Sequence, residues 1–365
     1  MQQQFQEKWL RIRERIIANE LLLALCVVIA TSIVGIVFGL ENNKLIPINI
    51  VHSAHYLLEP RNRLSFLANW DGRDYLDIAV NGYRGPIQTN FFPLYPLLIR
   101  LVNFVVGSPL WSALIVSWAA FVGAVYFYMK IVKQLYRKAN NLEALRSALF
   151  FVLFPTGVFL FSAYTESLFA FLSLGAIYFA LKKRPFEAGA LLLLATATHE
   201  NGVCVLVLIA LLLWEQHESY KRIAASVGIG CLGIVGYMVY LLKRFDNPLQ
   251  FVSSQKSNGW LTYSSHLLNQ LAGRDGLFLL LVLISILYWW RRRKSFAIYS
   301  ALYACIMLLG NLGGYGRYVL MDFPIQLMFY DYFRNKNFKY ALVLAAFAAF
   351  WMYFLLQFAG GYTGG

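Results

Sequence analysis

Three carboxylates, Asp71, Asp74 and Asp77, fall within seven residues of one another in the stretch NWDGRDYLDIAVNGYRGPIQTNFFPLYP, residues 69–96. Arg73 and Arg84 interleave with them, and Trp70, Tyr75, Tyr83, Phe91, Phe92 and Tyr95 crowd around. A carboxylate beside aromatic rings has the makings of a general base for a hydroxyl. That role needs a deprotonated acid within hydrogen-bond reach of the attacking oxygen. Asp71 also stands where a helix would begin, so N-capping by Asp71, with Asp74 and Asp77 as dipole partners, accounts for the same residues. The residues alone leave both readings open. The spacing of three puts the carboxylates on roughly one helical face.

Three other places carry polar groups that a lipid setting would penalise unless they line a cavity or do work. Glu166 follows Tyr164-Thr165 at a turn between apolar runs, where it either hydrogen-bonds a sugar hydroxyl or joins Thr165 in capping the next helix. His199-Glu200 sit in a break, Thr198 to Gly202, between two half-length apolar pieces, and unwound backbone at such depth marks many binding sites. A lone histidine there also reads as a satisfied core group. Arg317, in Gly316-Arg317-Tyr318, suits a phosphate, which a guanidinium grips with two parallel bonds, and the Gly-rich run before it offers backbone donors. The competing account is an arginine snorkelling to the interface. Arg73, Arg84, Lys243, Arg244 and Arg274 are rival phosphate partners. No His/Glu spacing builds a zinc site, so no protein-held metal is expected, and help from a divalent ion is left open.

These groups must be held by a membrane scaffold. The 365 residues are 59% hydrophobic and only 14% charged, against about 25% charged in soluble domains. The net charge of +14 would suit nucleic acid, but Lys and Arg punctuate the apolar runs at intervals, which is the positive-inside pattern. No nucleic-acid partner is expected; membrane lipids are. The four cysteines, Cys26, Cys204, Cys231 and Cys305, lie far apart inside apolar runs and make neither a disulfide framework nor a metal set.

One integral-membrane domain, 1–365, is therefore expected, all-α and polytopic, with about eleven transmembrane or half-membrane helices. Residues 1–19 read as a basic amphipathic helix on the cytoplasmic leaflet. The first apolar run, Leu21 to Leu40, reads as an uncleaved span. Residues 41–106 form a large extracytoplasmic loop containing short helices at Trp70–Val80 and Leu94–Val106, and 243–275 form a second. Ser147–Ala163 and Tyr318–Phe333 are expected as crossings, and Phe186–Trp214 as a broken or re-entrant pair. All four polar places then fall on the outer side.

The motifs resemble a known family. Trp70-Asp71-Gly72, Tyr75-Leu76-Asp77-Ile78-Ala79, Asn81-Gly82-Tyr83 and Phe91-Phe92-Pro93-Leu94-Tyr95-Pro96 are similar to blocks of the PIG-V-like mannosyltransferases. So are Phe154-Pro155-Thr156, Tyr164 to Phe169, Asn247 to Val252, and Gly316-Arg317-Tyr318 with Phe323-Pro324 downstream. The resemblance implies a GT-C-like fold and an inverting glycosyltransferase. Its donor would be a polyprenyl-phosphate sugar, mannose by family habit, and its acceptor a glycolipid or glycan. Asp71 would be the base, and Arg317 and Arg73 would hold the donor phosphate. Trp70, Asp74, Tyr75, Tyr83, Glu166, His199 and Glu200 would contact sugar or acceptor. No cofactor beyond the donor is implied. The enzyme is expected in a plasma membrane of a prokaryote rather than the ER, with an extracytoplasmic site. Relatives usually carry a Thr-Arg pair before a Gly where this chain reads Thr198-His199-Glu200-Asn201-Gly202, a departure that bears on either the donor-phosphate partner or the acceptor's charge. The reading from a different class is a lipid-linked-sugar flippase without transfer chemistry.

Overall fold

Asn19 caps the start of the first long helix, its side-chain oxygen accepting from the Leu21 and Leu22 amides at 3.0 and 3.2 Å. This helix, α1 (Glu20–Glu41), has 22 residues, ~33 Å at 1.5 Å per residue, enough for a hydrocarbon layer of ~30 Å. The computed structural model describes residues 17–42, 63–257, 273–308 and 315–362. The amphipathic helix expected before residue 17, parts of both outer loops (43–62 and 258–272) and Gly313-Gly314 lie outside the described residues.

Among the described residues the secondary structure is helical throughout, with no strand. Four helices are long and apolar enough to cross a membrane: α1, α4 (Pro109–Leu135), α9 (Tyr220–Phe245) and α15 (Asn337–Ala359). The protein is an all-α polytopic membrane protein. Between α1 and α4 lie α2 (Asp71–Asn81) and α3 (Leu94–Val106), within one and no residues, respectively, of the expected boundaries. α5 (Asn141–Val152), α6 (Glu166–Leu181), α7 (Pro185–Thr196) and α8 (Gly202–Glu215) follow. After α9 come α10 (Gln250–Ser257), α11 (Arg274–Trp290), α12 (Lys294–Leu308), α13 (Tyr315–Val319) and α14 (Phe323–Phe333).

The pair α7 and α8 is broken at Thr198–Asn201 and folds back on itself. Gln216, just past α8, donates to the Ala180 carbonyl near the end of α6 at 2.7 Å, so α8 returns to the level from which α7 set out. Two expected crossings are corrected. Ser147–Ala163 is helical only to Val152; Pro155 supplies no amide and disfavours helix at Phe154, so the chain unwinds from there to Glu166 with one 3-10 turn, Gly157–Leu160. Tyr318–Phe333 is likewise interrupted at Asp322, with Pro324 opening α14.

Unwound backbone at this depth must find partners. Thr156 Oγ1 donates to the Gly316 carbonyl at 2.7 Å, Trp118 Nε1 to Phe161 at 2.9 Å, and the Ala163 amide to Leu67 at 2.8 Å. Helix α1 closes over this segment through its glycines. A Cβ at Gly35 would come 2.4 Å from the Phe161 ring, and one at Gly39 would come 2.4 Å from Phe66. Small residues let helix and rings approach where no hydrophobic effect drives association.

Candidate active site

The aspartate loop is pinned before it presents any chemistry. Trp70 adopts φ 55°, ψ −126°, a region that costs an L-residue roughly 1–3 kcal/mol, and its buried indole Nε1 has no hydrogen-bond partner among the described residues. The turn it makes is fixed from both sides. Asn69 Nδ2 donates to the Phe358 carbonyl at 3.2 Å, and Tyr164 Oη donates to the Asn69 carbonyl at 2.8 Å. Gly72 lets α2 start against the unwound segment, since a Cβ there would sit 3.3 Å from the Ala163 carbonyl.

From this start the three carboxylates part company. A step of three residues turns a helix by about −60°, so Asp71 and Asp77 end up about 120° apart. Asp77 is 1% exposed and faces Arg84, whose Nη2 donates to both carboxylate oxygens at 2.6 Å; Gln88 and Asn81 donate to it at 2.6 and 2.7 Å. It fastens the loop 82–90 onto α2. Asp74 is buried, and burial, with Asp71 and Asp77 as like-charged neighbours, pushes its carboxyl up to about 8. Asp71, at the first position of α2, makes no capping bond; the helix lacks a side-chain cap.

Instead Asp71 meets Arg317. Arg317 Nη1 donates to Asp71 Oδ2 at 2.6 Å, and Arg317 Nε lies 3.0 Å from Glu166 Oε1. The Glu166 side chain is 4% exposed, Arg317 12% and Asp71 28%, so of the three Asp71 is the one that opens outward. The rings of Phe159, Tyr164 and Tyr318 stand 5.4 to 5.7 Å from the guanidinium. Glu166 is the first residue of α6, and Thr165 before it makes no side-chain cap but meets Tyr75 Oη at 3.3 Å.

The break between α7 and α8 closes the other wall. Its turn is held by the Leu94 amide, which donates to the Ala197 carbonyl at 3.0 Å and so ties α3 to the folded-back pair. His199 packs between Phe169 and Tyr318, each ring centroid 5.5 Å away, and its Nδ1 accepts from the Asn201 amide. Glu200 accepts from Gln255 Nε2 at 3.3 Å, and Asn90 donates to Ser254 at 3.3 Å, so α10 forms the third side.

One cavity of about 40 Å³ results, lined by Asp71, Tyr75, His199, Glu200, Arg317 and Tyr318, with Asn90, Phe91, Phe92, Thr198 and Gln255. Of the residues expected at a site, five line it. Glu166 stands behind Arg317. Trp70 forms the turn under Asp71. Asp74, Tyr83 and Arg73 do not line it: Tyr83 donates to the Phe91 carbonyl at 2.5 Å and packs on Tyr237 and Tyr240, while buried Arg73 reaches Asn69. Asn90 and Gln255 were not expected. Gln255 lies one turn beyond the Asn247–Val252 motif on α10, which was the available signal. Among the described residues no three His, Cys, Asp or Glu side chains converge on a metal position.

A family model described as Mannosyltransferase (PIG-V) matches residues 46–224, just under half of the chain. The chain is 30% identical to "GPI mannosyltransferase 2" of Drosophila pseudoobscura pseudoobscura over 155 residues, 39% of this chain and 34% of the relative. It is 32% identical to "GPI alpha-1,6-mannosyltransferase 2" of Cricetulus griseus over 173 residues, 43% and 33% of the two chains. The Mus musculus protein of that name is 33% identical over 179 residues, 46% and 35%. The chain spans about a third of the length of the curated relatives it matches. The residues matched by the family model include the aspartate loop, the unwound segment and the break between α7 and α8, and end before Arg317. These relatives are eukaryotic and lend no support to a prokaryotic plasma membrane over the ER.

Proposed function

We propose that this chain, a mannosyltransferase by its resemblance, has a GT-C-like fold. In this reading it moves a mannosyl residue from a polyprenyl-phosphate donor to a hydroxyl of a glycolipid or glycan, on the extracytoplasmic side and with inversion. The observation that carries this is the Asp71–Arg317 contact inside a pocket walled by aromatic rings. It puts an acid able to take a proton beside a cation able to hold a phosphate.

The lipid phosphate is the leaving group, so a single displacement needs one base and no covalent enzyme intermediate. Asp71 takes the acceptor proton as the oxygen attacks the anomeric carbon. The C–O bond to phosphate breaks, and the phosphate departs as a dianion whose growing charge is met by Arg317. Fixed cationic donors aimed at developing charge are worth most in a site that excludes water. Glu166 pairs with the guanidinium by charge from behind, its Oε1 3.0 Å from Nε, leaving the rest of the group to face Asp71 and the pocket.

A cavity of about 40 Å³ has room for about three waters, less than a sugar ring needs. A sugar ring therefore needs the pocket to widen. Arg317 has two N–H groups on Nη1 and two on Nη2, so it can meet the donor phosphate while one stays on Asp71, and the rate should depend on donor phosphate through that grip.

The test is incubation of purified protein with a panel of polyprenyl-phosphate sugars and candidate acceptors, following released polyprenyl phosphate. Mannosyl donor should be consumed, and Asp71→Asn should lower the rate by about 10²–10⁴ while donor binding survives. Binding without product from any donor, with the sugar crossing the membrane intact, would overturn the reading in favour of a flippase.

A further inference from the structure

A second cavity, of about 360 Å³, opens at the far end of the bundle. Helix α4 sets the separation. Ser117 bonds Tyr95 and the Tyr164 carbonyl beside the aspartate pocket, and Leu135 lies 18 residues on, ~27 Å along the axis. Helix α15 gives the same sense: Phe358 meets Asn69 at the pocket end, and Asn337 meets Arg146 at the other. The second cavity is lined by Tyr136, Arg137, Lys138, Glu143, Tyr330 and Arg334.

Its charges do not cancel. The one carboxylate in the lining, Glu143, is already engaged by Arg146 at 2.8 Å and Tyr330 Oη at 2.8 Å. Arg334 has only a loose pairing with Asp331, at 3.7 Å, and Asp331 also accepts from Tyr288 at 2.7 Å. Arg137 and Lys138 are exposed and make no ion pair among the described residues. The Arg334 guanidinium is nonetheless fixed, 4.6 Å from the centroid of the Tyr136 ring, which stands edge-on to Tyr330 at 5.7 Å. A held guanidinium, two free cations and tyrosine walls match a phosphodiester with polar substituents.

We propose that this cavity binds the phosphate-bearing headgroup of an anionic membrane lipid. Position selects a lipid over free phosphate. The cavity lies where α4 and α14 end, and neighbouring apolar side chains are open beside it, Leu142 at 43%, Tyr332 at 52% and Phe338 at 81% exposure. Acyl chains would lie along those residues while the headgroup enters the basic recess. Basic pockets between spans are where such headgroups lodge. The proposal is independent of the transfer reaction.

The experiment uses delipidated full-length protein in neutral detergent. Its melting temperature is followed on adding phosphatidylglycerol, phosphatidylcholine or inorganic phosphate. Phosphatidylglycerol should raise it saturably and the other two should not. The double variant Arg137→Gln/Lys138→Gln should need about thirtyfold more phosphatidylglycerol, while its melting temperature in neutral detergent stays that of the parent. Lys182→Gln/Lys183→Gln removes two exposed cations at the same end and should leave the response intact. Equal loss in both double variants would overturn the proposal in favour of a diffuse basic surface. A response to inorganic phosphate equal to that to the lipid would overturn the choice of ligand, and no response to phosphatidylglycerol would overturn the site.

Discussion

Arg317 is held by two carboxylates that do different things, and substitution separates them. Glu166 is 4% exposed, and burial pushes its carboxyl up to about 7 even with Arg317 beside it, so Arg317→Ala leaves it to take up a proton without its partner, a loss of about 1–3 kcal/mol. The double variant Arg317→Ala/Glu166→Gln should regain most of that stability in thermal melts while transfer stays lost. If the double variant melts as low as the single one, the pairing is not what Glu166 is for. Asp74 carries a second prediction. Its folded value of about 8 exceeds the ~3.9 of an unfolded aspartate, so the folded chain holds the proton more tightly. The associated stability is complete below about pH 4 and lost as pH rises through about 8. Melting temperature should therefore fall between about pH 4 and 8 in the parent and level off above that, and Asp74→Asn should flatten the fall.

The elements that bring the pocket together are mostly the ones that break rules. α7 and α8 are each too short to span, and Gly202 lets them fold back, since a Cβ there would meet Thr196 Cα at 2.7 Å. Gly202→Ala should cost about 1–3 kcal/mol by overpacking and shift Glu200 and His199, lowering transfer more than donor binding; an unchanged turnover would show that the break merely tolerates the cavity. Much of this was legible in the sequence. The broken pair followed from half-length apolar runs either side of Thr198–Gly202, and α2 and α3 from an aspartate-led start and an amphipathic run. The unwinding after Val152 was not, because apolar residues satisfy a hydropathy pattern whether or not Pro155 lets them be helical. The site was half legible. Residue types singled out Asp71, His199, Glu200 and Arg317, but the 60° step that sends Asp74 and Asp77 to other tasks shows only when side chains are placed. Asn90 and Gln255 are neutral amides whose role depends on what they face, and nothing in their neighbours announces it.

At the scale of the whole molecule, cations are unevenly placed along the bundle axis. The pocket end carries Asp71, Asp74, Asp77, Glu166 and Glu200 beside Arg73, Arg84 and Arg317. The opposite end carries Lys130 and Lys133, both paired to Glu20, and then Arg137, Lys138, Arg146, Lys182, Lys183, Arg184, Arg293 and Arg334. Lys and Arg near span ends are retained on the cytoplasmic side, so the excess of cations at the opposite end is what the proposed extracytoplasmic pocket requires. The orientation is checked by cysteine labelling in a background where the exposed Cys26 and Cys305 are replaced by alanine. Arg84→Cys, on the half-exposed loop at the pocket end, should react with a membrane-impermeant maleimide in sealed vesicles of native orientation. Lys182→Cys should react only after permeabilisation. The reverse pattern would put Asp71 on the cytoplasmic side, and a polyprenyl-phosphate donor displayed on the outer face could no longer reach it.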